Sequence, residues 1–305
     1  METGFVEPYC TRLSSKDREV RPCSGFGDEV STETASELVM LPEPTIAAIS
    51  DNCHTAVHDD PSILRDLVAP IPGQLPDGMG WGRWYLPARN AESGGGDCCD
   101  CFALALSGKV VAVIADVEGK DGYAARWAAI VRIALHAFLR ENPCPSMALA
   151  RLNRLLIADQ GDTQPAPLVA ATAFVVDSLT GEGIAATAGS EHPMIVRHRG
   201  ITTTREEIEC VPSCGVLLGI LDGASYESVP FTLGRGEALA LATDGITEAR
   251  SKHGLFGVEG MATALTAAKV AGLDAQRSAD LIGERAQHFA GGHLRDDACV
   301  VIVSR

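Results

Sequence analysis

Runs of apolar residues divide the chain into segments with strand-like and helix-like patterns. Segment 102–106, a turn at Ser107-Gly108-Lys109 and the apolar run 110–115 predict a β-hairpin. Further strands are predicted at 168–176, 184–188, 193–198, 225–233, 237–243 and 298–303. Apolar residues recur at helical spacing from Trp127 to Phe138, after Pro145, and from Gly257 to Phe289 with an interruption at Gly272. Strands and helices in separate blocks predict an α+β fold.

Aspartates stand at the ends of three predicted strands. They are Asp97, Asp100 and Asp116 at the hairpin, Asp244 after segment 237–243, and Asp296 and Asp297 before segment 298–303. Folding the hairpin brings carboxylates from both of its arms to one end. A single aspartate at a strand end is usually a turn residue. Its recurrence at three strands favours a site for a hard divalent cation, which binds converging oxygen ligands.

Four motifs carry a resemblance to a known family. They are Gly95-Gly96-Asp97, Asp116-Val117-Glu118-Gly119-Lys120, Thr243-Asp244-Gly245-Ile246-Thr247-Glu248 and Arg295-Asp296-Asp297. In order and spacing they resemble the SpoIIE/RsbU class of PPM-type metal-dependent protein serine/threonine phosphatases, over about residues 72–305. The resemblance implies a four-layer α-β-β-α sandwich of two antiparallel sheets flanked by helices. It also implies that a water activated by two metal ions hydrolyses phosphoserine or phosphothreonine.

The resemblance assigns a role to each acid. It implies that Asp116 bridges two metal ions, with the Val117 carbonyl as a further ligand, and that Asp244 and Asp296 bind one of them. Asp97 would support the second ion or a third. Asp100 and Asp297 are candidates for supporting positions, and an ordinary turn or strand-start acid is an equally good interpretation of Asp100. Carboxylate and water ligands suit Mn²⁺ or Mg²⁺.

The chain departs from the family pattern beside these motifs. Glu118 stands where the family usually has Ser, and Ser190-Glu191 replaces the usual His-Pro after Ala188-Gly189. None of these changes removes a predicted ligand. Glu118 borders the predicted metal site and is expected to alter its electrostatics, whereas Ser190-Glu191 is interpreted as variation in the surface that receives the substrate.

Composition restricts the classes of function. A net charge of −15 disfavours nucleic-acid binding, which depends on Lys and Arg contacts to phosphates. No uninterrupted apolar run of about 18 residues predicts a membrane span, and residues 1–7 lack a signal-peptide pattern. A cytoplasmic protein is therefore expected.

Three regions are predicted along the chain. Residues 1–60 lack periodicity and are predicted to be a flexible or weakly folded extension, 61–77 a linker with a short helix, and 78–305 the phosphatase domain. By resemblance, helices near the linker can mediate dimerisation or switching, so a homodimer and a regulatory linker are hypotheses.

Two further residue sets have competing interpretations. Cys98, Cys99 and Cys101 are predicted to be buried small hydrophobes, because adjacent strand residues point to opposite faces and do not converge on one zinc ion. A redox-sensitive thiol is the alternative. Arg132, His136 and Arg140 recur at intervals of four and are predicted to form a solvated polar stripe.

The predicted function is that of a protein phosphatase. By resemblance, its substrate is an anti-sigma-factor antagonist in a bacterial partner-switching pathway. The alternatives are a catalytically weak scaffold with the same fold, and a phosphatase for small phosphorylated metabolites.

Overall fold

A computed structural model describes residues 74–88, 95–104, 106–119, 121–159, 165–197 and 207–305. The strands are β1 Gly80–Leu86, β2 Cys98–Leu104, β3 Lys109–Val117, β4 Val169–Asp177, β5 Glu182–Ala188, β6 Met194–Arg197, β7 Glu207–Cys210, β8 Val229–Thr232, β9 Ala238–Ala242, β10 Arg250–Ser251, β11 Gly254–Leu255 and β12 Ala298–Ser304. The helices are α1 Asp121–Glu141, α2 Pro145–Ala158, α3 Asp244–Thr247, α4 Gly257–Val270 and α5 Ala275–Phe289. The predicted extension and the linker helix at 61–68 lie outside the described residues.

Two five-stranded antiparallel sheets form the centre of the fold. Sheet I has the order β1-β12-β9-β6-β7 and sheet II the order β2-β3-β4-β5-β8. In sheet II, β2 and β3 are the two arms of the hairpin, with Cys98 opposite Ala115. In sheet I, β12 lies between β1 and β9.

Three apolar layers separate and cover the sheets. The first packs sheet II against α1 and α2 and includes Val113, Val175, Leu135 and Leu152. The second fills the space between the sheets, and the third packs sheet I against α4 and α5. Period-two alternation explains this division, because successive residues of a strand contribute to opposite layers. The predicted α-β-β-α sandwich is confirmed.

Local residues set the ends of the helices. Pro145 opens α2, where its missing amide hydrogen costs no hydrogen bond. Asp274 caps α5 and accepts a hydrogen bond from the Arg277 amide at 2.8 Å. Gly272 has a φ of +65° just after α4, a conformation that favours glycine, and this separates the two predicted helical blocks.

Some predicted boundaries were wrong. The first arm of the hairpin begins at Cys98, not Phe102, so Asp100 lies inside β2 rather than before it. The strands β1 and β7 were not predicted. None of the helices in the described ranges has the length and apolar content needed to cross a bilayer.

Candidate metal centre

The start of β2 and the end of β3 lie side by side at one end of the strands of sheet II. The pair Cys98 and Ala115 sets this register, and the Val117 amide donates to the Gly96 carbonyl at 3.2 Å. Asp97 directly precedes β2, and Asp116 is the penultimate residue of β3. The antiparallel hairpin therefore brings these two acids together, as the sequence predicted.

Sheet I contributes the other acids at the same end. Asp244 follows the end of β9, and Asp297 directly precedes β12, which is antiparallel to β9. Their backbones are close enough that a Cβ on Gly245 would lie 1.9 Å from the Asp297 carbonyl oxygen. Only glycine fits at this position, which accounts for the Asp-Gly pair in the motif.

Thr243 connects the two sheets through its hydroxyl group. The hydroxyl donates to Asp97 Oδ2 at 2.7 Å and accepts from the Cys299 amide at 2.9 Å. Both bonds are buried, so they fix one carboxylate oxygen of Asp97 relative to sheet I. Sequence reasoning did not assign Thr243 a role, although its hydroxyl stands directly before the Asp-Gly pair.

Asp297 accepts hydrogen bonds from two backbone amides that precede Asp97 in the chain. Its Oδ1 accepts from the Ala88 amide at 2.7 Å, and its Oδ2 accepts from the Gly96 amide at 2.6 Å. A Cβ on Gly95 would lie 2.1 Å from Asp297 Oδ2, so this contact requires glycine. With both oxygens bound to amides, Asp297 fixes the backbone that leads into Asp97, and the supporting role predicted for it stays a prediction.

Burial and mutual repulsion raise the pKa values of three acids. Asp97 is 1% exposed, and desolvation first, then the charge of Asp116, raises its pKa well above the usual range. Desolvation, then Asp244 and Asp296, raises the pKa of Asp116 to about 7. Desolvation and the charge of Asp296 also raise the pKa of Asp244. The predicted ligands therefore interact electrostatically as one acid cluster: Asp97, Asp116, Asp244 and Asp296.

One oxygen of this cluster has no partner. Asp97 Oδ1 is fully buried and accepts no hydrogen bond, which is costly for a carboxylate. A divalent cation would satisfy that oxygen and relieve the repulsion among the acids. Within the described ranges, no three His, Cys, Asp or Glu side chains converge closely enough to hold an ion as they stand. The donor set fits a cation, and binding it would require the carboxylates to draw together.

Gly96 lies directly against the Val117 carbonyl because it has no side chain. A Cβ on Gly96 would lie 2.5 Å from the Val117 oxygen. A side chain at this position would cover the carbonyl that was predicted as a ligand. Glycine at position 96 thus allows the close approach of these two backbone segments.

Asp100 does not join the acid cluster. It is fully buried beside α1, where Arg132 Nη1 donates to its Oδ2 at 3.2 Å and His136 Nδ1 lies 2.7 Å from the same oxygen. Its Oδ1 accepts from the Cys101 amide at 3.0 Å. Asp100 therefore anchors β2 to α1.

The predicted solvated stripe on α1 is wrong for Arg132 and His136, which face Asp100, and is confirmed for Arg140, which is exposed. Arg132 is 3% exposed, and Arg140 Nε donates to His136 Nε2 at 2.7 Å. Because His136 Nε2 accepts this bond, Nδ1 carries the proton and donates to Asp100. The stripe is a hydrogen-bonded chain that runs from the helix surface to a buried carboxylate.

The three clustered cysteines are free thiols buried on both sides of sheet II. Cys98 lies in the layer beneath α1, whereas Cys99 and Cys101 lie between the sheets. The prediction of buried, non-converging small hydrophobes is confirmed for them.

Two glutamates near the acid cluster were not assigned to the site from the sequence. Glu191 Oε1 accepts from the Thr247 hydroxyl at 2.9 Å, and Glu248 follows α3 directly. The charges of both raise the pKa of Asp244. Glu191 lies in an aperiodic connection between β5 and β6, where only its departure from the family pattern marked it.

The fold is that of the PPM-type phosphatases. The family Stage II sporulation protein E (SpoIIE) matches residues 107–305. The chain therefore belongs to the SpoIIE family. No curated protein matches it.

Solved structures with the same fold include several bacterial phosphatases. The RsbU and RsbW domains of Rv1364c from Mycobacterium tuberculosis align with 22% identity and a TM-score of 0.60, covering 78% of this chain and 63% of that one. The PP2C phosphatase domain of SpoIIE from Bacillus subtilis, with a fragment of its regulatory domain, aligns with 22% identity and a TM-score of 0.58, covering 74% and 61%. The SiaA-PP2C domain of Pseudomonas aeruginosa aligns with 17% identity and a TM-score of 0.61, covering 86% and 98%. This chain thus spans less than two thirds of the first two structures.

Proposed function

We propose that this chain is a divalent-metal-dependent phosphatase for phosphoserine or phosphothreonine in proteins. The observation that carries the proposal is the buried, unpartnered Asp97 Oδ1 within a group of mutually repelling carboxylates. Membership of the SpoIIE family and the PPM-type fold support it. A related structure is described as a complex with magnesium, which supports Mg²⁺ or Mn²⁺ as the cation.

The residues of the acid cluster would together bind two cations. Asp116 would bridge them, with the Val117 carbonyl beside it, Asp244 and Asp296 would bind one, and Asp97 would hold the second or a third. When bound, such ions polarise a phosphoryl group and acidify a water molecule. Thr243 and Asp297 would orient Asp97 through the hydrogen bonds that they make to it and to the Gly96 amide. This chemistry requires no nucleophilic side chain.

We further propose a phosphorylated anti-sigma-factor antagonist as the substrate, in a cytoplasmic partner-switching pathway. The similarity to a structure that contains RsbU and RsbW domains supports this choice. Dimerisation through the linker helices and the division at residues 60 and 77 remain predictions.

Phosphate release from cation-stripped protein, measured with and without Mn²⁺ or Mg²⁺, tests the proposal. The substrates are p-nitrophenyl phosphate, a phosphoserine protein and a sugar phosphate. The wild type should release phosphate only with a cation, and Asp116→Asn and Asp244→Asn should each lower the rate at least about 100-fold. Glu182→Gln, at the opposite end of sheet II, is the matched control and should behave as the wild type.

A catalytically weak scaffold is the second candidate. It is favoured by the lack of a converged group of three ligands within the described ranges. Calorimetric titration separates the two, since a phosphatase should bind Mn²⁺ and lose that binding in Asp116→Asn. If the wild type neither binds Mn²⁺ nor releases phosphate from any substrate, the scaffold replaces the enzyme. Faster hydrolysis of the sugar phosphate than of the phosphoprotein would instead indicate a metabolite phosphatase.

A further inference from the structure

Tyr85 on β1 contacts the backbone that leads into Asp97. It is paired with Cys299 of β12, and its ring packs against the apolar layer that fills the space between the sheets. The phenol oxygen accepts a hydrogen bond from the Gly95 amide at 2.9 Å. Tyr85 had no predicted role, and it precedes the residues 107–305 that the SpoIIE family matches. This hydrogen bond ties sheet I to the chain two residues before Asp97.

The segment 95–97 is held in place by backbone hydrogen bonds to both sheets. Its first amide donates to Tyr85, and its second amide donates to Asp297 Oδ2 at 2.6 Å. Its second carbonyl accepts from the Val117 amide at 3.2 Å. All three residues of the segment are buried. A buried amide that loses its acceptor costs free energy unless the backbone moves to find another partner, so the position of the segment depends on each of these bonds.

The side chain at the end of this segment has a fixed position in the acid cluster. Asp97 Oδ2 accepts from the Thr243 hydroxyl at 2.7 Å, and the buried Oδ1 has no hydrogen-bond partner among the described residues. Only one residue separates Gly95 from Asp97, so a shift of the Gly95 backbone also moves the carboxylate. Removal of the Tyr85 oxygen would leave the Gly95 amide without its acceptor and would favour such a shift.

Tyr85 is a neutral partner beside negatively charged groups. Burial first, then the charges of Asp297 and Asp97, raise the pKa of Tyr85 above its usual range, so the hydroxyl keeps its proton. Tyr85 therefore holds the Gly95 amide without adding to the repulsion among the acids. Asp297 differs in this respect, because it holds the next amide with a carboxylate.

We propose that Tyr85 is a positioning residue of the candidate metal centre, whose phenol oxygen holds the Gly95 amide and thereby keeps Asp97 in place to bind a divalent cation. This inference rests on the proposed function, of which the metal centre is a part, and adds a residue to that centre. Groups that orient a metal ligand without touching the metal commonly contribute about 10–100-fold to metal affinity. Tyr85 acts through a backbone amide, so we expect an effect at the lower end of this range.

Tyr85→Phe tests the inference, because it removes the phenol oxygen and keeps the ring. The measured quantity is the dissociation constant of Mn²⁺ for cation-stripped protein, determined by calorimetry without substrate. We expect Tyr85→Phe to raise this constant about tenfold. Circular dichroism and a thermal melt establish that the variant is folded.

Tyr226→Phe is the matched control. The Tyr226 hydroxyl is also buried, but it has no hydrogen-bond partner in the described ranges, and its ring lies in the layer between sheet II and the helices α1 and α2. This variant should keep the Mn²⁺ dissociation constant within about twofold of the wild type. Equal constants for the two variants would overturn the inference. They would do so even if Tyr85→Phe melted at a lower temperature, because a purely structural role changes stability and not the cation affinity of the folded protein.

Hydrogen exchange of the wild type gives a readout that needs no variant. If the hydrogen bond of the Gly95 amide favours cation binding, the cation must stabilise that bond by the same factor. Saturating Mn²⁺ should therefore slow the exchange of the Gly95 amide, followed by nuclear magnetic resonance, about tenfold. An exchange rate that Mn²⁺ leaves unchanged would overturn the inference whether or not Tyr85→Phe folds.

The hydrolysis assay separates a failure of this inference from a failure of the proposed function. If the wild type hydrolyses the phosphoserine protein with Mn²⁺ and Tyr85→Phe binds Mn²⁺ as tightly as the wild type, the inference fails and the proposed function stands. If Tyr85→Phe weakens Mn²⁺ binding and the wild type hydrolyses no substrate, the inference stands and the proposed function fails. If the wild type binds no Mn²⁺, both fail.

Discussion

The buried pair of Arg132 and Asp100 should make the protein sensitive to the loss of either partner alone. Both side chains are buried, with exposed fractions of 4% and 0%, and Arg132 Nη1 lies 3.2 Å from Asp100 Oδ2. Removing one partner of a buried ion pair costs about 3–5 kcal/mol because the other charge stays uncompensated. His136 and the Cys101 amide still bind Asp100, which lowers the expected loss. We therefore expect Arg132→Met to lower the free energy of unfolding by about 2–4 kcal/mol.

Urea denaturation followed by circular dichroism measures this loss. With a slope of about 2–3 kcal/mol per molar urea, the midpoint should fall by about 1 M. Arg151→Met is the matched control on α2, since Arg151 pairs with Glu141 at 2.7 Å but with exposed fractions of 30% and 67%. An exposed pair contributes about 0–1 kcal/mol.

The double variant Asp100→Leu/Arg132→Met separates a lost charge partner from lost packing. It should be less destabilised than Arg132→Met alone, because no buried charge remains without its partner. Equal losses for Arg132→Met and Arg151→Met would refute the reasoning. So would a double variant that loses the sum of two independent effects.

Three further predictions concern the acid cluster. Without a cation, the free energy of unfolding should fall as pH rises from 3.8 to about 7, because folded Asp116 keeps a proton that the unfolded chain releases. Saturating Mn²⁺ should make the free energy of unfolding less dependent on pH. A melting temperature that rises with pH in this window would contradict the prediction. Thr243→Val should weaken Mn²⁺ binding and lower the free energy of unfolding by about 1–3 kcal/mol, since it removes a donor to Asp97 and an acceptor for the Cys299 amide. Thr243→Ser should retain both hydrogen bonds. Calorimetric measurement of Mn²⁺ binding and thermal unfolding for the two variants tests this prediction. Gly245→Ala should destabilise the protein by more than about 2 kcal/mol, because its Cβ would meet the Asp297 backbone at 1.9 Å. Gly122→Ala in α1 has open space around it and should be neutral or stabilising. Urea midpoints in the opposite order would contradict this prediction.

The sequence predicts the parts of this fold whose apolar pattern is regular. The hairpin that brings Asp97 to Asp116 follows from two adjacent apolar runs and a glycine turn, and the structure has that pairing. β1 escaped prediction because Gly80 and Gly82 interrupt its pattern. Gly82 is there for packing, since its Cβ would lie 2.2 Å from the Gln276 backbone in α5.

Local sequence patterns do not predict contacts between residues that are far apart in the chain. The spacing of Arg132 and His136 placed them on one face of a helix, but nothing in that spacing identified Asp100 as the group they face. Glu191 lies in a connection without periodicity, so its approach to Thr247, 56 positions away, emerges only from the packing of the two sheets. Distances of this kind depend on tertiary structure.

The placement of β12 makes the order of synthesis matter for this protein. β12 is the last described strand to leave the ribosome, yet it lies inside sheet I between β1 and β9. Asp297 reaches back across 209 positions to the Ala88 amide and across 201 to the Gly96 amide. Until β12 is synthesised, the facing edges of β1 and β9 have no strand between them. The acid cluster also lacks the carboxylates that directly precede β12. The acid cluster therefore becomes complete only when β12 has joined sheet I.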